Sequence, residues 1–272
     1  MKYLGYALPI ALATALISTG LFAQEAPSPK PLRELFTTPA GVTDPGVMML
    51  DAGYQTARFR DGSQAQQFPT QVDLGICQWF DLRVDWNGPT TLKDPQGDNQ
   101  SGGADPLFGG QFQALRQEKA GLDLGLAYWH KLPRASVEKG IGTGKADDTL
   151  LLTASRTLGF WEIDMNGGAN WLGKPDGGRA RQGVISLAVT RLFAPGWNAS
   201  LDTYALAPTD LGPRTASAQG QRTITSILAV SRDIGPSLTL DLGVEAGLTR
   251  SAERLALDAG LVWRMGQFWG KK

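Results

Sequence analysis

Hydrophobic residues recur at every second position along most of this chain. From Leu238 to Leu248 the even positions are apolar, while Thr239, Asp241, Gly243, Glu245 and Gly247 fill the odd ones. Successive side chains of a strand point to opposite sides, so this pattern predicts a strand with one apolar and one polar face. Trp161, Ile163 and Met165 alternate with Glu162, Asp164 and Asn166 in the same way, on to Trp171. Leu82–Trp86, Leu122–Tyr128 and Leu255–Trp263 repeat it. Helical spacing fits none of them.

About twelve such segments follow one another, near residues 46–58, 68–77, 80–88, 105–117, 121–131, 147–158, 160–172, 182–193, 196–207, 221–232, 236–249 and 254–265. They predict an all-β, up-and-down antiparallel meander forming one domain. The connections sort by length. Gln78-Trp79, Glu118–Ala120, Gly159, Ala194-Pro195 and Asp233–Gly235 are tight turns. Phe59–Gln67, Pro89–Ala104, Lys131–Ala146, Gly173–Arg181 and Pro208–Gly220 are longer and rich in Gly, Pro, Asp and Ser, and only Arg250–Glu253 in that series is short. Both ends of the meander then lie on the tight-turn side. Transmembrane β-barrels show this asymmetry, with short periplasmic turns, longer external loops and an even strand count. A soluble secreted β-protein is the competing reading, because alternation alone does not say which face is buried.

All eight Trp lie near predicted strand ends. Trp79, Trp161, Trp197, Trp263 and Trp269 fall toward the short turns, and Trp86, Trp129 and Trp171 toward the long loops. Two such belts are expected at the two membrane interfaces, although Trp also closes the ends of soluble sheets. In a barrel the polar face lines a wet interior. Its lumen candidates are Asp51, Asp73, Arg83, Asp85, Asp123, Glu162, Asp164, Asp202, Asp241, Glu245 and Asp258. Acids dominate this set, which predicts modest cation preference for any aqueous path. Arg58, Arg156, Arg191 and Arg232 would offset it if they also turned inward.

Composition narrows the chemistry. The 26 basic and 26 acidic residues cancel, so no field of one sign points to nucleic acid. One Cys and one His leave no disulfide framework and no Cys/His zinc cluster, and no cofactor or metal is expected. Met1–Ala23 reads as a signal peptide, with Lys2 before the apolar run Leu4–Leu21 and cleavage before Gln24; an uncleaved anchor is the alternative. Residues 24–45 hold Pro27, Pro29, Pro31, Pro39 and Pro45 and read as a periplasmic lead-in able to enter the lumen as a plug. Residues 46–272 form the barrel. No later apolar run reaches the ~18 residues of a spanning helix. Export and barrel together predict the outer membrane of a Gram-negative cell. The expected partners are outer-membrane lipid, a small-molecule solute, periplasmic chaperones and the barrel-assembly machinery, with the protein itself a monomer.

Catalytic patterns are sparse. His130 shares the apolar parity of Leu122, Leu124, Leu126 and Tyr128, so it would face lipid at the outer end of its strand. A membrane-embedded lipase or protease could use it with Ser155 or Ser186, in which case His130→Ala would abolish activity. An amphipathic interface residue beside Tyr128 and Trp129 is the plainer reading, and no Gly-x-Ser-x-Gly elbow is present. Gly140–Lys145 lacks the spacing of a phosphate loop and reads as an external loop. The carboxylates include no pair that the sequence singles out for glycoside or cation chemistry. Cys77 beside a tight turn reads as a packing residue.

Several short motifs carry a resemblance. Val72–Val84 resembles the conserved hairpin of an outer-membrane transporter-like family linked to the meta-pathway of phenol degradation. Gly103–Gly109 is similar to that family's Gly-x-Asp segment, and Lys131-Leu132-Pro133 to its strand-ending Leu-Pro. Asp147 or Asp148 with Leu150–Leu152, Ser155 and Gly159, and then Asn166-Gly167-Gly168, resemble the following strands. The resemblance runs from about Gly46 to the C-terminus. It implies an outer-membrane barrel that passes small, often aromatic or apolar, molecules. Arg134-Ala135 stands where the family has Thr-Gly. The chain ends Phe268-Trp269-Gly270-Lys271-Lys272 instead of on an aromatic, leaving Phe268 or Trp269 as the assembly signal.

Overall fold

The computed structural model describes residues 35–210 and 221–270. The expected signal peptide, residues 24–34 of the expected lead-in, residues 211–220 of the expected Pro208–Gly220 loop, and Lys271-Lys272 lie outside the described residues. The strands in chain order are β1 (Val47–Arg58), β2 (Gln64–Gln67), β3 (Thr70–Cys77), β4 (Phe80–Trp86), β5 (Pro89–Lys93), β6 (Asn99–Gly103), β7 (Pro106–Leu115), β8 (Asp123–Lys131), β9 (Asp147–Leu158), β10 (Trp161–Gly173), β11 (Arg179–Ala194), β12 (Trp197–Leu206), β13 (Thr223–Ile234), β14 (Leu238–Gly247) and β15 (Leu255–Gln267).

Twelve of these build the wall: β1, β3, β4 and β7 to β15, each antiparallel to the next. The last pairs back onto the first, from Val47 opposite Gln267 to Arg58 opposite Leu255. These twelve strands therefore close into a barrel without a free edge. Among the described residues, no helix is long and apolar enough to cross a membrane. A single helical turn, α1 (Gln117–Ala120), caps the β7–β8 turn, and Gly121 ends it at φ 79°.

Two connections expected as irregular loops carry strands. β2 extends β3, while β5 and β6 extend the hairpin of β4 and β7, and together they raise one side of the barrel at the long-loop end. The register shifts between Thr70 opposite Trp86 and Gln67 opposite Thr90, so Phe68 and Pro69 face Asn87, Gly88 and Pro89. Pro69 and Pro89 have no N–H to give a ladder. These breakers read as loop in the sequence, yet they only bend strands. Conversely, the Gly173–Arg181 loop is shorter than expected, because β11 already begins at Arg179.

Burial is inverted relative to a water-soluble protein. Leu228, Leu242 and Ile185 are 60%, 65% and 60% exposed, whereas Asp81, Thr153 and Asp202 are 0% exposed. A soluble sandwich would bury the first set and solvate the second, so the soluble reading does not describe this molecule. Arg58, Arg156, Arg191 and Arg232 occupy outward positions and do not offset the acids inside. Arg191 lies 5.0 Å from the Trp161 ring centroid and Arg232 lies 5.1 Å from that of Trp197. These pairs set a cation over an aromatic face at the short-turn rim. Trp129 departs from the belt expected for it: it points inward and is 8% exposed. Leu124, Leu126 and Tyr128 take the outward side of β8, so their odd-numbered neighbours must face the interior.

One titrating group outside the wall bears on stability. Burial pushes the Glu253 carboxyl, in the β14–β15 connection, above the ordinary range for glutamate. A raised acid disfavours the folded state once it must ionise, so this penalty grows as pH rises from the ordinary glutamate range through the raised value. Glu253→Gln is expected to melt higher than the wild type at neutral pH and to match it in acid. Heat-modifiability followed against pH checks this, and equal melting at both pH values would contradict it.

Candidate functional site

The interior of the barrel is occupied by the chain's own N-terminal segment. Residues 36–44 climb through the lumen from the short-turn rim, where Gly46 N–H donates to the Gly75 carbonyl at 2.8 Å. Thr43 N–H donates to Asp81 Oδ2 at 2.9 Å. Gln111 Nε2 donates to the carbonyls of Pro39 and Gly41 at 2.6 and 2.7 Å. Ala40 N–H donates to Ser155 Oγ at 2.7 Å, and Ser155 in turn donates to Asp164 Oδ1 at 2.5 Å. Asn166 both accepts from Thr38 N–H and donates to the Thr38 carbonyl, each at 2.7 Å. Asp202 accepts from the Thr37 N–H at 2.8 Å and from its hydroxyl at 2.7 Å. Above these, Phe36 stacks on Tyr204 with ring centroids 4.0 Å apart.

The wall thus grips this strap by its backbone. The strap pairs with no strand along this stretch, so its peptide groups need other partners. The inward side chains of β4, β7, β9, β10 and β12 supply them. Pro39 removes one N–H that would otherwise need an acceptor. The strap was expected as a periplasmic lead-in with the option of plugging the lumen; residues 36–44 lie within the barrel.

Gly75 marks the tightest crossing. A Cβ there would lie 2.0 Å from the Asp44 carbonyl oxygen and 2.5 Å from that of Thr43. Gly75→Val is therefore expected to displace the lower strap while the β3–β4 pairing persists. Protease cleavage within residues 36–44 should become rapid in the folded variant, and unchanged protection would contradict this reading.

All the lumen candidates sit at inward positions of their strands. Arg83 donates to Asp81 through Nε at 3.0 Å and Nη2 at 3.2 Å, and its Nε is 3.9 Å from Asp73. Asp85 lies next along β4. Asp123, at the foot of β8, accepts from Gln113 Nε2 at 2.8 Å and from Gln117 N–H at 2.9 Å. Glu162, Asp164 and Asp202 line the β10–β12 side, where Asp164 and Asp202 hold the strap directly or through Ser155. Glu245 accepts from Gln55 Nε2 at 2.9 Å and neighbours Asp258. Asp51 and Asp241 face the same lumen from β1 and β14.

Sequence reasoning missed Asp81, Gln111 and Asn166 as site residues. Asp81 shares the parity of Arg83 and Asp85, so alternation alone was enough to find it. Gln111 and Asn166 carry no charge, and only the strap reveals their use. Toward the long-loop end an apolar patch joins the lining, where Trp129, Leu151 and Val184 pack together with Leu107 and Leu206 beside the Lys131–Asp147 pair.

His130 does not meet a serine nucleophile. It faces outward, bonded through Nδ1 to Asp148 at 2.7 Å. Ser155 and Ser186 face the interior, where their hydroxyls bond Asp164 and Asn166. Among the described residues, no cluster of His, Cys, Asp or Glu is arranged to hold a metal ion.

Solved structures share this architecture at low sequence identity. An outer membrane channel from Pseudomonas putida F1 superposes with a TM-score of 0.61 at 12% identity, covering 82% of this chain and 97% of that one. The NanC porin does so with 0.57 at 8% identity, over 80% and 100%. The translocator domain of the autotransporter NalP from Neisseria meningitidis reaches 0.50 at 8% identity, over 82% and 90%. The likeness is one of fold. No curated protein matches the chain. The model of the family described as "Putative MetA-pathway of phenol degradation" matches residues 36–265, a span that takes in the strap as well as the wall, and the chain belongs to that family.

Proposed function

We propose that this protein is an outer-membrane channel for passive entry of small apolar or aromatic molecules, closed at rest by its N-terminal strap. The observation that carries the reading is the strap itself. Wall side chains hold it by its backbone, inside a barrel whose closure at β1 and β15 begins only at Val47. It can therefore leave the lumen without breaking the wall. The apolar outer face suits lipid. The family's link to phenol degradation and the channels and porins that share the fold support the direction of transport chemistry.

The lining sets what would pass. A solute entering at the long-loop end meets an apolar patch of Leu107, Trp129, Leu151, Val184 and Leu206, flanked by Asp85 and by Lys131 paired with Asp147. The indole and aliphatic surface of that patch favours an uncharged, flat, apolar solute over a sugar or an anion. Any water-filled path past the acids prefers cations, since Arg83 is spent on Asp81 and Asp73 and the four rim arginines face outward. Reversal potentials across a salt gradient, measured on protein lacking residues 36–44, test this. Cation preference is expected; clear anion preference would overturn the assignment of the lining.

A further inference from the structure

A charged row crosses the outward side of the wall at the long-loop end. In register across β7 to β11 stand Phe108, His130, Asp148, Trp171 and Arg181. Strand alternation turns all five away from the lumen. Toward the barrel's middle the outward neighbours are apolar and exposed, among them Leu126, Leu152, Met165 and Ile185. The row therefore sits where the apolar belt ends, at the depth of lipid headgroups.

Asp148 organises this row. Its side chain is only 14% exposed, because Tyr128 donates its hydroxyl at 2.6 Å, His130 Nδ1 bonds at 2.7 Å, and Arg179 pairs with the other oxygen. Holding Nδ1–H on a carboxylate fixes the ring and presents Nε2 outward as an acceptor. Arg179, 46% exposed, keeps guanidinium donors beyond those spent on Asp148, and exposed Arg181 adds a second cation. Trp171 stands between Asp148 and Arg181. Two guanidinium groups suit a phosphate. An outward imidazole acceptor, with an indole one strand beyond Asp148, suits a sugar hydroxyl and its ring.

We propose that this row binds a phosphorylated glycolipid of the outer leaflet, with Arg179 and Arg181 on the phosphate and His130 and Trp171 on the sugar. A phospholipid supplies phosphate without the sugar and would leave His130 and Trp171 unused. The proposal rests on the outer-membrane reading above.

The test uses the full chain folded in detergent and shown to be heat-modifiable. Phosphorylated lipid A, the same lipid with its phosphates removed, and phosphatidylglycerol are the probes, and native mass spectrometry reads the lipid retained. The wild type is expected to hold phosphorylated lipid A about tenfold more tightly than either other lipid. The double variant Arg179→Ala/Arg181→Ala is expected to lose that preference. His130→Ala should weaken lipid A binding and leave phosphatidylglycerol unchanged, while Arg191→Ala at the opposite rim should alter neither. Equal retention of lipid A and phosphatidylglycerol by the wild type, or a preference that survives in the double variant, would overturn the proposal. Failure of the outer-membrane reading shows differently, as protein recovered in the soluble periplasmic fraction.

Discussion

Deleting residues 36–44 is expected to raise conductance through the barrel by about an order of magnitude, because it clears the lumen of its only described backbone crossing. The wall should survive the loss. Each bond to the strap contributes about 1 kcal/mol net, and the groups released (Asp202, Asn166, Gln111 and Ser155) gain water in an emptied lumen. Barrel closure stays intact, since the β1–β15 pairing starts at Val47. In planar bilayers the deleted form should show steady open steps and the full chain rare ones, with both remaining heat-modifiable. Equal conductance in the two forms would mean that the strap does not close the path.

Replacing Arg83 should be the most damaging single change inside the wall. Arg83 is 8% exposed and Asp81 0%, and the two form a forked pair with Asp73 nearby. Arg83→Met leaves Asp73, Asp81 and Asp85 facing one another without a cation. Removing one partner of a buried ion pair costs about 3–5 kcal/mol. Asp81 also anchors Thr43, so the lower strap should loosen as well. The expected result is a clear fall in the temperature at which the folded band is lost on a gel. Adding Asp81→Asn to Arg83→Met should restore part of it, because the stranded charge is then gone. A melting temperature unchanged by Arg83→Met would show that the acids are solvated well enough to need no partner.

The wall was legible in the sequence because a strand's two faces meet two solvents here. Leu240, Leu242 and Val244 alternate with Asp241, Gly243 and Glu245 wherever lipid and lumen lie on opposite sides, and no tertiary context blurs that period. The sorted loop lengths gave the direction of the strands. Trp129 shows the limit of reading by position: strand-end placement suggested a belt, while the parity of β8 sends it inward. The bent strands β2, β5 and β6 were hidden because Pro69, Gly88 and Pro89 look like loop, although paired neighbours can carry a bend through them.

The site was legible only in half. Charges on the polar face mark the lumen once the wall closes, because the inward side is then the wet one. The strap's grip was not readable, because wall side chains bind its peptide groups and place few demands on its side chains. Thr38 and Ala40 carry no motif that points to Asn166 and Ser155. His130 appeared in the sequence as the lone candidate for nucleophilic chemistry. The contacts put it with Asp148, Tyr128 and Arg179 on the lipid side instead.

The central claim is that the strap-filled barrel is a path for small apolar or aromatic solutes. The most direct measurement is entry of a small phenolic solute and of a sugar of similar mass into vesicles carrying the full chain, the form lacking residues 36–44, or no protein. Selective acceleration of the phenolic solute by the full chain, and faster entry still in the deleted form, is the predicted result. Rates equal to those of protein-free vesicles in both forms would contradict it.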